Sequence, residues 1–493
     1  VFTSRRTTET RLELISDPRN HVFSTIHNYL TKMTSNYEPI RRLPNMQDAG
    51  PSELAQRDNV ITKLRSVFGL RGYDRAETPI LEQTELYLRK SGGTLSSRLY
   101  GFTEPGGYQV SLRPEFTAAI LRQTIDDMTD SNAVRIMYDG PVFRYARPED
   151  EDGIKTRQFT QLGAELIGPS SPDADGEIIA MSLEGLNSLE IADTRVVVGH
   201  VGVIAKALGA FDLSERAKLF LINNISELNK GGTDSVFEKA ETLGFVTNTA
   251  IGEAQASSDR TQIEKKIDRV LSNGIVGPFG QNIGQRTVED IVARLSKKLS
   301  ETDDPDNFKK ALQMLSAITQ INGAANKALE NAEKVLSESG VDPVIISSCT
   351  DVISSAQVEG VQIEQINIDF GLARGITYYT GMIFDIYSND NNSESHQTLG
   401  GGGRYDGLTR ALGYDYDFPS LGFAYNIDAL VACQRFKTNS GTNIYFVSPK
   451  NCGSVQAAVN KARKLRSSGK RAAVEYKNNG ATSSSVQSEG ESG

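Results

Sequence analysis

Glu115 and Thr117 stand two residues apart in SLRPEFTAAILR, in what reads as one extended segment, so their side chains are expected on the same face. A carboxylate aimed into a pocket floored by a sheet suits an ammonium or imidazolium; the alternative is a surface carboxylate paired with Arg113. The stretch FRYARPEDEDGIKTRQFTQLGAELIG reads as strand, acidic loop, strand, and in its second strand Gln161, Gly163 and Glu165 alternate onto one face. Two polar groups beside a glycine suit a recess that hydrogen-bonds a small polar ligand, although a hairpin with a polar solvent face carries the same pattern. Arg144, just before the loop, is either an anion ligand or a rim charge. In GLARGITYYTGMIFDIY, Arg374 sits among small residues, where a guanidinium can grip a carboxylate bidentately, or else lies exposed on a packed strand. Tyr378 and Tyr379 follow and are expected on opposite faces, with one of them lining the pocket. The glycine run in LGGGGRYDGL lets the backbone approach a ligand or a neighbouring strand closely, and its spacing supports neither a dinucleotide nor a Walker-type phosphate loop. His200, after three valines in VVVGHVGV, reads as a packed or capping imidazole before it reads as a base.

These groups need a scaffold. Apolar residues at helical spacing (Leu54, Val60, Ile61, Leu64, Val67, Phe68) predict a helix over 53–68 that feeds an extended segment through GLRGYDRAETPILEQ. Between Tyr100 and Gly168, short extended runs separated by turn signals predict an antiparallel sheet. An amphipathic helix is expected over 174–191, then a strand in TRVVVGHVGV. Helical patterning dominates 213–360, with a Gly- and Asn-rich stretch at 273–286, and strand character returns with EQINIDFGLARGITYYTGMIFDIYS, the Gly-rich LGGGGRYDGL and SLGFAYNIDAL. One sheet interrupted by a helical insertion explains that order. The expected organisation is an arm over 1–50 with a helix-like piece at 21–33, a core of 51–212 and 361–436, a helical insertion over 213–360, a short α/β piece over 441–478 and a disordered tail over 479–493.

Composition bounds the function. With 493 residues, 38% hydrophobic and 23% charged, the chain can bury a sizeable core, and no run approaches the roughly 18 apolar residues of a membrane span. Its 53 basic against 62 acidic residues give a formal charge of −9, so no broad basic face for nucleic acid is written into the composition. Cys349, Cys433 and Cys452 form no CxxC, and the four histidines are scattered, which argues against a disulfide framework or a metal cluster and fits a cytoplasmic location. The chain starts at Val1, and its VFTSRRTTETR lacks an apolar signal core; the terminus reads as cut, processed or incomplete.

Taken in order, the segments resemble the histidyl-tRNA synthetase superfamily over roughly 45–210 and 363–435. RGYDRAETPILE is similar to its motif 1, FRYARPED with RQFTQLGAE to its motif 2 region, and LRPEFT and ARGITYYTG with GGGRYDGL to its histidine-recognition segments. The resemblance implies an α+β fold: a class II aminoacyl-tRNA synthetase-like antiparallel sheet flanked by helices, with the helical insertion and a truncated anticodon-binding-like α/β piece. It also implies histidine-binding roles for Glu115, Thr117, Gln161, Glu165, Arg374, Tyr378 and Tyr379.

Two members of the superfamily differ in how they treat ATP. An active synthetase carries Phe-Arg-x-Glu in motif 2 and an arginine in motif 3; here Ala146 and Ala429 occupy those positions, beside Arg144, and leave a degenerate ATP site. Phe116 also replaces the glycine of RPEGT, whereas Arg374 is the arginine a working synthetase uses. The resemblance therefore implies no catalytic residue, no cofactor and no metal on this chain. It implies the regulatory subunit of ATP phosphoribosyltransferase, first enzyme of histidine biosynthesis, binding L-histidine for feedback control. Its partners would be the catalytic subunit, which uses Mg²⁺, and a second copy through motif 1, giving a dimer core. The alternative is a histidine–tRNA ligase using ATP, Mg²⁺ and tRNA.

Overall fold

In a computed structural model the described residues are 40–126, 128, 133–145, 156–246, 302–372, 378–388, 398–434 and 444–475. The helix-like piece at 21–33, the Gly-rich stretch 273–286 and the tail 479–493 lie outside them, as do Ala146 and Arg374.

The first helix, α1 (Pro51–Leu70), starts with proline in its first turn, where the missing N–H costs no helix bond, and buries Val60, Ile61, Leu64 and Phe68. It stops at Gly72, whose φ of 82° few side chains tolerate. Next come β1 (Asp74–Arg75), β2 (Leu81–Gln83), α2 (Thr84–Ser96), β3 (Gly101–Thr103), β4 (Gln109–Leu112) and α3 (Thr117–Ile125). The long hairpin β5 (Val134–Phe143) and β6 (Gln158–Ile167) leads to α4 (Pro172–Ser188), β7 (Thr194–His200) and α5 (Val201–Gly209).

The stretch 213–360 supplies α6 (Glu215–Asn223), α7 (Ile225–Thr242), α8 (Pro305–Thr319), β8 (Asn322–Ala324), α9 (Ala325–Glu338) and α10 (Ser347–Val358). The chain then returns through β9 (Ile366–Asp369), β10 (Met382–Ser388), β11 (Thr398–Arg404), α11 (Leu408–Leu412), β12 (Ser420–Asn426) and α12 (Ile427–Cys433).

These strands make a nine-stranded sheet in the order β1-β5-β6-β12-β11-β10-β7-β9-β8, antiparallel except for the β1/β5 and β7/β9 pairs. The antiparallel region expected over 100–168 divides between two sheets: β5 and β6 join the large one, while β3 and β4 join β2 in a separate three-stranded sheet. The described residues 213–246 and 302–360 are mostly helical, yet β8 pairs with β9, and Phe220, Phe308 and Leu315 belong to the same apolar core as Val196 and Val198. Residues 444–475 form a small α/β unit: β13 (Tyr445–Val447) runs parallel to β14 (Ala472–Val474), with α13 (Pro449–Cys452) and α14 (Val455–Ser467) between them.

The large sheet has two unlike faces. On one, α1 and α4 press on Phe423 and Tyr425: the Phe68 and Phe423 rings meet edge-on at 5.5 Å, and the Tyr425 hydroxyl donates to the Ser182 carbonyl. Close packing there demands glycine at Gly176, where a Cβ would lie 2.6–2.7 Å from the backbone of α10. Arg404 and Asp175 form a buried ion pair at 2.7 Å on the same side. The other face is floored by Gly140, Gly163, Gly403 and Gly422 and carries α3, and the candidate site lies on it. No helix among the described residues is long and apolar enough to cross a membrane.

Candidate functional site

Strand β6 sits between β5 and β12, and its register puts Gln161 opposite Gly140 and Asn426, Gly163 opposite Tyr138 and Ala424, and Glu165 opposite Ile136 and Gly422. The expected alternation of Gln161, Gly163 and Glu165 onto one face is what the strand presents. Gly422 has no side chain for a reason: a Cβ there would overlap the Glu165 carboxylate.

Glu165 is the centre of the site. It is 1% exposed, and its Oε1 accepts hydrogen bonds from Thr117 Oγ1 at 2.8 Å and from the Tyr138 hydroxyl at 2.9 Å. The Tyr405 hydroxyl donates to its Oε2. Burial pushes the carboxyl up to about 7, against the opposing pull of the Tyr405 hydroxyl, the Lys90 charge and the other two hydroxyls. The Tyr138 and Tyr405 hydroxyls are raised far above the usual phenol range by burial and by the neighbouring carboxylate, so both remain donors.

This sets a sign for stability against pH. Glu165 titrates at about 7 in the fold instead of its ordinary 4.5, so the ligand-free protein holds a proton that the unfolded chain releases. Stability should therefore be highest below pH 4.5 with respect to this group and fall as pH rises toward 7, by on the order of 3 kcal/mol. Urea melts of the protein and of Glu165→Gln across that range check it: the variant is expected to lose the slope, and parallel curves would contradict the assignment.

Glu115 meets a different partner from the one the sequence suggests. Arg113 is buried and donates to the carbonyls of Thr78 at 2.7 Å and Pro141 at 2.9 Å, with its guanidinium over the Phe116 ring. Glu115 is instead paired with Lys90 Nζ at 2.7 Å, the lysine side chain being 2% exposed. Its Oε2 also accepts from the Thr117 N–H at 2.7 Å, placing negative charge at the first turn of α3. Thr117 therefore begins a helix and does not continue an extended segment with Glu115. The two groups converge because the carboxylate folds back onto the helix start, while the threonine hydroxyl reaches Glu165.

Lys90 escaped the sequence reading. The available signal was its spacing on α2: Tyr87, three residues earlier, is fully buried, so Lys90 faces inward with it. Its ammonium lies 4.2 Å from the Tyr378 ring centroid.

Tyr378 and Tyr379 do not diverge. Their rings lie 4.5 Å apart and both pack against the cluster of Leu121, Ile167, Tyr405 and Leu408. Strict alternation fails here because β10 begins only at Met382, and 378–381 lie outside any strand. Tyr379 passes over Gly403, where a Cβ would sit 2.9 Å from its Cε1. The glycine run itself lies in β11, paired on both sides, so close strand packing explains it.

Gln161 is 9% exposed and its Oε1 has no hydrogen-bond partner among the described residues, which leaves a buried acceptor on the glycine-floored face. Arg144 donates from Nε to the Pro114 carbonyl at 2.9 Å and lies over the Phe159 ring. Ala429 is 3% exposed within the core, in the first turn of α12, and Asn426 caps that helix by accepting from the N–H groups of Asp428 and Ala429. The Asp428 carboxylate is taken by Arg57 at 2.7 Å and the Thr160 N–H at 2.8 Å. His200 caps α5 by accepting from the Val203 N–H, and burial lowers its imidazole to about 4, so it is neutral and structural.

The arrangement can bind a cation in a water-poor recess: Glu165 supplies charge, three hydroxyls orient it, and Gln161 offers one more acceptor.

The family described as histidyl-tRNA synthetase matches residues 45–274 and 281–430. The histidine–tRNA ligase of Methanococcus vannielii is 28% identical over 386 residues, 78% of this chain and 74% of that protein. That of Pyrococcus horikoshii is 27% identical over 433 residues, 87% and 83% of the two chains. Among solved structures, an ATP phosphoribosyltransferase regulatory subunit/histidyl-tRNA synthetase from Bacillus halodurans superposes with a TM-score of 0.60 at 22% identity, covering 91% of this chain and 96% of that one. A histidyl-tRNA synthetase from a Nostoc species gives 0.57 at 17% identity, covering 90% and 87%. Those superpositions agree with the α+β, class II synthetase-like fold, and with the long family match they lead to one conclusion: the chain belongs to the histidyl-tRNA synthetase family.

Proposed function

We propose that this chain is a noncatalytic, histidine-binding regulatory subunit that docks on the catalytic subunit of an ATP phosphoribosyltransferase and makes its activity sensitive to L-histidine. The observation that carries the reading is a contrast across the sheet. At one end, the Glu165 carboxylate is clamped by three hydroxyls and backed by the Lys90–Glu115 pair. At the other, position 429 holds a buried alanine where the family's active members place a phosphate-binding arginine. Adenylate formation needs preorganised positive charge on the transferring phosphoryl group, and losing one such donor typically costs about a hundredfold or more.

In this reading Glu115 and Glu165 engage the ammonium or imidazole, Gln161 orients it, Arg374 takes the ligand carboxylate, and Tyr378 and Tyr379 wall the pocket. Nucleotide chemistry and Mg²⁺ belong to the partner, in the cytoplasm, and a self-associated pair of this chain forms the core of the hetero-oligomer. Regulation requires that histidine bind two quaternary arrangements unequally, by a coupling of about 1–3 kcal/mol.

Co-expression with a short-form ATP phosphoribosyltransferase catalytic subunit tests the proposal. The two chains are expected to co-purify, and L-histidine to depress the partner's activity; failure to associate, or activity indifferent to histidine, would overturn it. The second reading, a histidine–tRNA ligase, is favoured by the names of the curated relatives at 27–28% identity.

A further inference from the structure

The Lys90–Glu115 pair is an unusual thing to build next to a cation site. Its carboxylate belongs to the group expected to meet a ligand, yet the protein satisfies that carboxylate with its own ammonium at 2.7 Å, the lysine being 2% exposed. The ammonium also lies on the Tyr378 ring face, 4.2 Å from its centroid. Tyr378 stands edge-on to Tyr405 at 5.8 Å, and Tyr405 donates to Glu165, so Lys90 and the central carboxylate share one wall of the pocket. Among the described residues, the ionisable groups around this wall include Lys90 and Tyr87 on α2, Glu115 at the start of α3, Tyr138 on β5, Glu165 on β6, and Tyr378 and Tyr405, with Glu82, Arg113 and Arg122 facing Tyr87.

Two carboxylates without the lysine would give the recess a double negative charge, and burying an unpaired second charge is costly. With the lysine, Lys90, Glu115 and Glu165 together sum to a single negative charge. We propose that Lys90 is a specificity-determining positioning residue: by holding its ammonium on Glu115 it leaves Glu165 as the uncompensated carboxylate of this wall, which lowers the site's affinity for an analogue with a net positive charge relative to a net-neutral amino acid. The proposal rests on the histidine-site reading and deepens it by stating which ligand charge the site selects.

The test compares two probes by calorimetry at about pH 8, where free imidazole is neutral: L-histidine, and L-histidinol, in which a hydroxymethyl group replaces the carboxylate and leaves the molecule positively charged. Relative to the parent protein, Lys90→Met is expected to shift the ratio of the two affinities toward histidinol by about tenfold or more. Lys90→Arg keeps the charge and is expected to hold the ratio within about threefold of the parent protein.

Should Lys90→Met fail to fold, the double variant Lys90→Met/Glu115→Gln removes the pair together and restores the charge count; its ratio is expected to stay within about threefold of the parent. Equal weakening of both ligands in Lys90→Met, or a tenfold change of ratio in the double variant, would overturn the proposal. If the parent binds neither probe, the histidine-site reading falls as well; if it binds both and only the ratios disobey, that reading stands and Lys90 is structural.

Discussion

Replacing Glu165 by glutamine is expected to weaken L-histidine binding by about a hundredfold or more at about pH 8 while leaving the protein folded. Glutamine has the same size and can still accept from Thr117 and Tyr138, so the hydroxyl clamp keeps partners. What disappears is the negative charge in a water-poor recess. Truncating one member of a buried charge pair commonly costs about 2–5 kcal/mol, or some thirtyfold to several thousandfold in affinity.

The same carboxylate dictates a pH profile. With its titration near 7 in the free protein, lowering the pH protonates Glu165 and removes the attraction for a ligand ammonium, so affinity falls on the acid side of about 7. Binding near that pH should release protons, which calorimetry in buffers of different ionisation enthalpy detects. A Glu165→Gln protein that binds within about threefold of the parent would remove the carboxylate from the site.

Gly422→Ala is the second large effect. One methyl group is added, but it would overlap Glu165 Oε2 and lie 2.5 Å from the Ala164 carbonyl oxygen. Strand β12 is held between β6 and β11 and cannot step back, so the carboxylate must leave the Tyr405 and Thr117 hydroxyls. Overpacking together with buried donors left unmatched is expected to cost about 3 kcal/mol of stability, and histidine binding should be lost with it. Gly209→Ala is the control: it sits at the end of α5, where a Cβ meets nothing within 4 Å, and it should leave both stability and binding near the parent values. A melting temperature unchanged by Gly422→Ala would contradict the packing described here.

Local signals in the sequence carried much of this fold, and through-space ones did not. The α1 periodicity, the β6 alternation of Gln161, Gly163 and Glu165, and the capping His200 are local patterns, and each appears in the structure as read. Lys90 on α2, Tyr138 on β5 and Tyr405 just after β11 lie far from Glu165 in sequence, and only sheet register and helix docking bring them to it. The Tyr378–Tyr379 pair was misplaced because alternation was extended into non-strand residues that precede β10. Strand β8 was missed because Asn322, Gly323 and Ala324 have little intrinsic preference for a strand and gain it from pairing with β9. Arg113 drew the pairing with Glu115 by adjacency, whereas burial among the carbonyls of Thr78 and Pro141 had already used its donors.

The proposed combination of an amino-acid pocket with no adenylating chemistry is tested most directly by histidine-dependent exchange of pyrophosphate into ATP. With L-histidine shown by calorimetry to be bound, the purified protein is expected to give no exchange above the blank, with Mg²⁺ present. Robust exchange that depends on histidine would contradict the account and establish the chain as a ligase.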